Sequence, residues 1–266
     1  MRKISTLMVS VLCMMMPVGT EAQVPTAFVS KGATDIQAQP HSVTQTNSGA
    51  QLAAIDPMVR SITMDDGLPS NAVRSVVQGS KGYMWFGTDN GLCRFDGYDV
   101  KTYYNPFTTV DQFVSALTAC EEGLLVGCNN GAYLFCNATD RFQKLSDKIT
   151  APVLNFSLDG DQNVWISTNG QGVFRYNRTT HELHQYPMKN IQGKVKSTLV
   201  DANNQVWMLC NHGEASIYHL NKSTDQFEAF PLKGDATMFH GMAMLATPDG
   251  NVYVGTWENG LYKLNA

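Results

Sequence analysis

Several short stretches carry residue types that could do chemistry. His181-Glu182-Leu183-His184 has the imidazoles and carboxylate of a metal site, but it lies at the start of an apparent strand. Residues three apart on a strand point to opposite faces, so the two rings cannot converge on one ion, and a solvated strand edge is expected. Asp159-Gly160-Asp161-Gln162-Asn163 opens like a calcium loop, yet the twelfth position is Gly170 where such a loop needs a bidentate Glu. A hairpin turn is expected there instead. Asn169-Gly170-Gln171-Gly172 approaches a phosphate-cradling glycine loop, but strand-like sequence follows it, not the helix N-terminus that would hold a phosphate. Asn137-Ala-Thr, Asn155-Phe-Ser, Asn177-Arg-Thr and Asn221-Lys-Ser satisfy the glycosylation sequon. Three of them recur at gaps of 40 and 44 residues, where Asn is expected to shape a turn by bonding the backbone two residues on. No nucleophile has a base beside it in sequence, and no paired carboxylates recur. No catalytic residue, metal or cofactor is expected.

The elements that position these residues are repeated. Tyr83-Met-Trp-Phe-Gly-Thr, Leu124-Leu-Val-Gly-Cys, Asn163-Val-Trp-Ile-Ser-Thr, Gln205-Val-Trp-Met-Leu-Cys and Asn251-Val-Tyr-Val-Gly-Thr align on one column. Its bulky position holds Trp85, Leu125, Trp165, Trp207 and Tyr253, at gaps of 40, 40, 42 and 46 residues. An Asn- and Gly-bearing turn follows each. In the third unit, strands are expected over 153–159, 163–168, 172–177 and 182–186, separated by turn residues. Four strands per 40 to 46 residues is the size of a propeller blade. The fold class expected is therefore all-β, a β-propeller of four-stranded antiparallel blades, with about five blades at 71–104, 112–145, 151–186, 193–230 and 240–266. The tryptophans should be wedged between adjacent blades.

The fifth unit lacks an outer strand. Residues 59–64 are placed where such a strand could come from, which would close a five-blade ring. The arrangement we favour is a propeller short of further blades, incomplete relative to seven.

Length and composition frame the rest. Of 266 residues 43% are hydrophobic and 16% charged, against about 25% charged in ordinary soluble domains, which excludes disorder along the whole chain. A net charge of -4 is the wrong sign for a nucleic-acid partner. Arg2 and Lys3 precede an apolar run from Ile4 to Val18, and Thr20-Glu21-Ala22 follows with small residues at the cleavage positions. Residues 1–22 thus read as a signal peptide and imply periplasmic export. The run is shorter than the roughly 20 residues of a membrane span, and no span is expected later. Residues 23–56 read as a flexible polar segment and 57–266 as the propeller. Cys93, Cys120, Cys128, Cys136 and Cys210 are odd in number and unpatterned, so packing as small hydrophobes is expected, with Cys128 and Cys136 the alternative disulfide pair.

Blade topology locates a ligand face. Loops joining second to third strands and one blade to the next emerge on the same side of the disc. That side should carry Asp89, Asn90, Asn129, Asn130, Asn169, Gln171, His212, Glu214, Trp257 and Glu258, with Asn71, Gln112 and His240 near the blade connections. Amides, carboxylates and an aromatic suit a sugar. The candidates are Trp257, Glu258, His212, Glu214, Asp89, Asn130, Gln171 and His240, the first four standing out because they break the plain Asn-Gly pattern.

Asp66-Gly-Leu-Pro-Ser-Asn-Ala-Val, followed by Gly82-Tyr-Met-Trp-Phe-Gly-Thr-Asp-Asn-Gly-Leu-Cys-Arg-Phe-Asp-Gly-Tyr98, resembles the opening of the two-component regulator propeller family. The likeness is specific from Asp66 to Tyr98 and weaker but regular to Leu264. It implies the periplasmic sensor half of hybrid two-component systems in Bacteroides-like bacteria. In that family two seven-bladed propellers and a small all-β domain precede a membrane helix, a histidine kinase and often a DNA-binding regulator, and many members respond to oligosaccharides. No kinase segment is legible here. The expectation is an exported, non-catalytic sensor propeller whose partners are an oligosaccharide, further blades or a sensor domain, and a homodimer mate. The alternatives are a lyase- or lactonase-type propeller enzyme and a passive protein-interaction scaffold.

Overall fold

Short apolar runs broken by Asn, Asp and Gly pair with their neighbours as antiparallel hairpins, because each turn returns the chain beside the strand it has just left. The computed structural model describes residues 61–108, 110–188, 194–211, 216–230, 241–257 and 259–264. Blade one is β1 (Val73–Gln78), β2 (Met84–Thr88), β3 (Gly91–Phe95) and β4 (Val100–Tyr103). Blade two is β5 (Val114–Ala119), β6 (Gly123–Cys128), β7 (Gly131–Cys136) and β8 (Arg141–Lys144). Blade three is β9 (Val153–Leu158), β10 (Asn163–Thr168), β11 (Gly172–Asn177) and β12 (Leu183–Tyr186). Blade four is β13 (Lys194–Val200), β14 (Val206–Asn211), β15 (Ile217–Asn221) and β16 (Gln226–Ala229). The fifth sheet has three strands, β17 (Gly241–Ala246), β18 (Val252–Thr256) and β19 (Leu261–Leu264). Strand order within every sheet follows chain order.

The first strands neighbour one another in succession, β1 against β5, β5 against β9, β9 against β13 and β13 against β17, and so line the axis of an incomplete propeller. The core lies between blades, since a single sheet cannot hide both of its faces. Trp85 is buried at the seam of blades one and two with Val114, Val126 and Phe135. Leu125 takes the same column at the seam of blades two and three, with Ile166 and Phe174. Trp165 lies against Val195, Met208 and Tyr218 of blade four, and Trp207 against Val252, Val254 and Leu264 of blade five. These three indoles are at most 2% exposed.

Two polar latches reinforce the seams. Tyr103 of β4 donates to Asp140 Oδ2 at 3.1 Å, and Lys101 reaches the same oxygen at 2.9 Å. Two seams further, Tyr186 of β12 donates to Asp225 Oδ1 at 2.7 Å, and Arg175 bonds both Asp225 oxygens at 2.9 and 3.2 Å. Both aspartates sit in the turn between third and fourth strands with left-handed backbone, φ 54° and 52°. The intervening seam has no Tyr–Asp latch; it packs Leu125, Leu134 and Leu145, and Arg178 of blade three pairs with Glu122 of blade two at 2.9 Å.

Two expectations meet the structure differently. Of the proposed closing strand, residues 59 and 60 lie outside the described residues, Ser61 to Thr63 carry no strand, and Met64–Asp66 form a 3-10 turn capped by Thr63. Cys128 and Cys136 are free and stand at opposite ends of the β6–β7 hairpin, five strand positions apart, about 17 Å at strand rise, so they cannot be bridged. Burial instead pushes the thiols of Cys93 and Cys120 up to about 11 and those of Cys128 and Cys210 up to about 12. Residues 1–22 and 23–56 lie outside the described residues.

Candidate functional site

The turns between second and third strands bond back to the segment that enters the same blade. Asp89 N donates to Ala72 O at 3.1 Å, Asn169 N to Pro152 O at 2.8 Å, and Asn129 Nδ2 to Asp111 Oδ2 at 2.7 Å. These bonds put the turns and the blade entries on one face, as the topology requires. A threonine closing the second strand fixes the turn in three blades: Thr88, Thr168 and Thr256 donate to the carbonyls of Gly91, Gly172 and Gly260.

Of the eight candidate ligand residues, Asp89, Asn130, Gln171 and Trp257 are described, whereas His212, Glu214, His240 and Glu258 lie outside the described residues. The structure gives the four different tasks. Gln171 is a clamp: its Oε1 accepts from Thr150 N and Ala151 N at 2.9 and 2.8 Å, and its Nε2 donates to Lys148 O at 3.1 Å. Gln112 performs the same duty on the entry to blade two, through Asn105 and Thr108. Asp89 accepts both guanidinium bonds of Arg74, at 2.5 and 2.8 Å, and the Arg74 hydrogen bond holds its carboxyl below the usual carboxylate range. Asn130 keeps a buried Oδ1 without a well-formed hydrogen bond, next to the equally unsatisfied Tyr133 hydroxyl. Burial raises the Tyr133 phenol, and Asn105 and Asn130 beside it offset that only in part. Trp257 is half exposed after β18.

The stretches that first suggested chemistry are structural. His181 accepts or shares a proton with Tyr176 at 2.7 Å, while the His184 ring meets Tyr186 at 4.5 Å. Tyr176 belongs to the core shared with blade two and Tyr186 to the core shared with blade four, so the imidazoles do turn apart. His184 lines a hollow of about 510 Å³ with Asn163, Arg175, Asn177, Glu182 and Leu183, at the end of the blade remote from the ligand face. Asp159 is a turn residue: Oδ1 accepts from Asp161 N and Asn163 N, and Oδ2 accepts from the Trp165 indole at 2.9 Å. The sequon residues divide. Asn177 and Asn221 each accept two backbone N–H bonds of their turns, whereas Asn137 Oδ1 is buried without a partner. Asn155 is a strand residue that accepts from Thr198 N at 2.8 Å and ties β9 to β13.

Strand-level reading missed the axis. Each first strand carries a register shift near its start, at the second residue in four blades and the third in blade four, with the bulge falling at Arg74, Ser115, Leu154, Lys196 and Met242. A bulge re-aims its side chain, and here it does so toward the next blade. Arg74 lies over the Phe113 ring at 5.5 Å, Ser115 Oγ donates to Val153 O at 2.6 Å, and Lys196 Nζ donates to Met242 Sδ at 3.2 Å. The signal was legible once the first strands, and not only the Trp column, were aligned.

Incomplete propeller is thus the class that fold and site define, and comparison with known proteins narrows it. Residues 67–90 match the two component regulator propeller family model, so blade one carries a repeat of that family. A comparison with curated proteins gives no match. Among solved structures, the extracellular domain of BT3049, assigned to a hybrid two component system of B. thetaiotaomicron, aligns with TM-score 0.64 at 18% identity, over 78% of this chain and 30% of that one. The extracellular domain of BT4673 from the same organism, described likewise, aligns with TM-score 0.63 at 20% identity, over 74% and 27%. Virginiamycin B lyase from Staphylococcus aureus aligns with TM-score 0.63 at 15% identity, over 75% and 69%. The chain therefore spans less than a third of the two Bacteroides domains, and at these identities all three share its fold. Among the described residues no helix is long and apolar enough to cross a membrane.

Proposed function

We propose that the chain is the ligand-sensing propeller of an exported two-component-type receptor, non-catalytic in itself, which recognises an oligosaccharide or a partner domain. The observation that carries this reading is the family repeat at 67–90, set in a propeller arc like those of extracellular receptor domains. Export to the periplasm is supported by the basic and apolar residues between Arg2 and Ala22. The first strands support binding over turnover: they are mainly aliphatic, small or hydroxyl-bearing, and Arg74 is already committed to Asp89.

Thermal unfolding with a panel of neutral and acidic oligosaccharides, run beside divalent metals, tests the proposal. A ligand that binds only the folded state stabilises it by about 2.7 kcal/mol at a hundred times its Kd, a shift of several degrees. A saturable shift with at least one oligosaccharide and no consumption of it is expected. Stabilisation by a metal together with cleavage of the sugar would replace the sensor with a lyase-type enzyme. No response to any sugar would leave a protein-interaction scaffold.

A further inference from the structure

Five bulged residues lie on the strands along the axis, and two of them, Arg74 and Lys196, are cations. The bulges lie one or two residues inside the strand end next to the turns between second and third strands, so this arc of residues opens onto the expected ligand face. Blade one answers its cation internally through Asp89, the residue immediately after β2. The ladder gives Asn211 the same column in blade four, since Val73 faces Thr88 where Val195 faces Cys210. Blade four therefore repeats the cation with a neutral amide where the carboxylate stood. Lys196 is half-buried, and its ammonium donates to a thioether sulfur, a weak acceptor. Among the described residues no carboxylate pairs with it. Burial pulls its titration below that of an ordinary lysine. The bulged residues of the flanking blades are Leu154 and Met242, which offer apolar wall and no anion.

A desolvated cation lacking the counter-ion that its own repeat supplies elsewhere is suited to an incoming one. We infer that Lys196 anchors an anion-binding subsite at the mouth of the propeller axis, which takes the carboxylate or sulfate group of an acidic sugar against Leu154 and Met242. The sugar part of this inference rests on the sensor reading; the anion part does not.

The test uses the full chain with trigalacturonate, a sulfated disaccharide, uncharged cellotriose and inorganic sulfate. Binding is followed by calorimetry and by NMR of ¹³C-methylated lysines. At least one acidic sugar should bind tenfold or more tightly than cellotriose, and raise the titration midpoint of Lys196. Lys196→Met should remove that preference. Because Asn211→Asp keeps the lysine and restores the arrangement of blade one, it should do the same, which guards against a misfolded Lys196 variant. Glu214 and Asp235 lie outside the described residues, so Glu214→Gln and Asp235→Asn are included. If either sets Lys196 free of an internal partner, seen as a fall in its midpoint, the subsite is overturned. Equal binding of acidic sugars by wild type, Lys196→Met and Asn211→Asp overturns it too, and if cellotriose binds as well as the acids the sensor reading survives alone. A midpoint raised by inorganic sulfate with no response to any sugar would uphold the anion site while removing the oligosaccharide reading.

Discussion

A buried indole needs an acceptor for its N–H, and two blades find it six residues upstream. Asp159 accepts from Trp165 and Asp201 from Trp207, both at 2.9 Å, while the second oxygen of each carboxylate accepts two backbone N–H groups of its turn. One side chain therefore closes the hairpin and orients the seam residue. Blade one cannot copy this, because a Cβ on Gly79 would stand 2.7 Å from the Trp85 indole nitrogen. Replacing Asp201 by Ala should destabilise the protein by about 1–3 kcal/mol, since it strands a buried donor. Asp201→Asn keeps an acceptor and should cost less, and urea unfolding of the two variants checks the ranking. An equal cost for both would mean that charge, not the hydrogen bond, matters there. The same residues show what a sequence can hide: Asp159 was readable as a turn residue, but its link to Trp165 was not, because Gly79 and Ala119 interrupt the column in the first two blades.

At the scale of strands and turns, the seams differ in chemistry although the blades share a pattern. The latches at Asp140 and Asp225 lock the outer strand of one blade to the last turn of the next, whereas the seam between them combines Leu125, Leu134 and Leu145 with the Arg178–Glu122 ion pair. Burial opposes ionisation of Asp225, but the Tyr186 and Arg175 hydrogen bonds outweigh it and hold the carboxyl low. Asp140 is held low first by Lys101. A carboxyl depressed on folding contributes stability that is present above its unfolded value, about 3.9, and is lost as pH falls through the folded value. The protein should therefore lose stability progressively below about pH 4, and Asp225→Ala should flatten that acid limb. The pairs are partly exposed and worth about 0–1 kcal/mol as ion pairs, so most of the loss at neutral pH should come from the Tyr186 hydroxyl left without its acceptor. Denaturant midpoints of wild type, Asp225→Ala and Tyr186→Phe across pH 3 to 7 decide this: if the Phe variant is as unstable as the Ala variant at pH 7, the hydroxyl carries the latch. These partners are some 40 residues apart, and no local spacing reveals which carboxylate a tyrosine will meet; the Asn and Asp turns themselves were legible because each satisfies its own backbone.

For the whole molecule, the repeat in the Trp column made the propeller legible, because blade size, strand number and seam position all follow from one period. What the period could not supply is how each sheet is covered, since blades two to four are flanked on both sides whereas the fifth sheet, among the described residues, packs against blade four. A glycine two residues after the seam residue marks the difference. A Cβ on Gly127 would lie 2.7 Å from Val153 Cγ1, and one on Gly87 2.7 Å from Val114 Cγ1, so each seats the first valine of the following blade. Gly255 occupies the same column in the fifth sheet and meets nothing within 4 Å, while Leu245 and Leu261 are 50% and 70% exposed. Gly127→Ala should consequently force blades two and three apart and cost about 1–3 kcal/mol, as overpacking does. Gly255→Ala should be neutral or slightly stabilising, because alanine restricts the unfolded chain in a place with room for its methyl group. Differential scanning calorimetry of the two variants, each read at two protein concentrations, makes the comparison. A loss at Gly255 as large as that at Gly127 would mean the seat is filled in solution. If that loss appears only at the higher concentration, the filling strand comes from another copy of the chain.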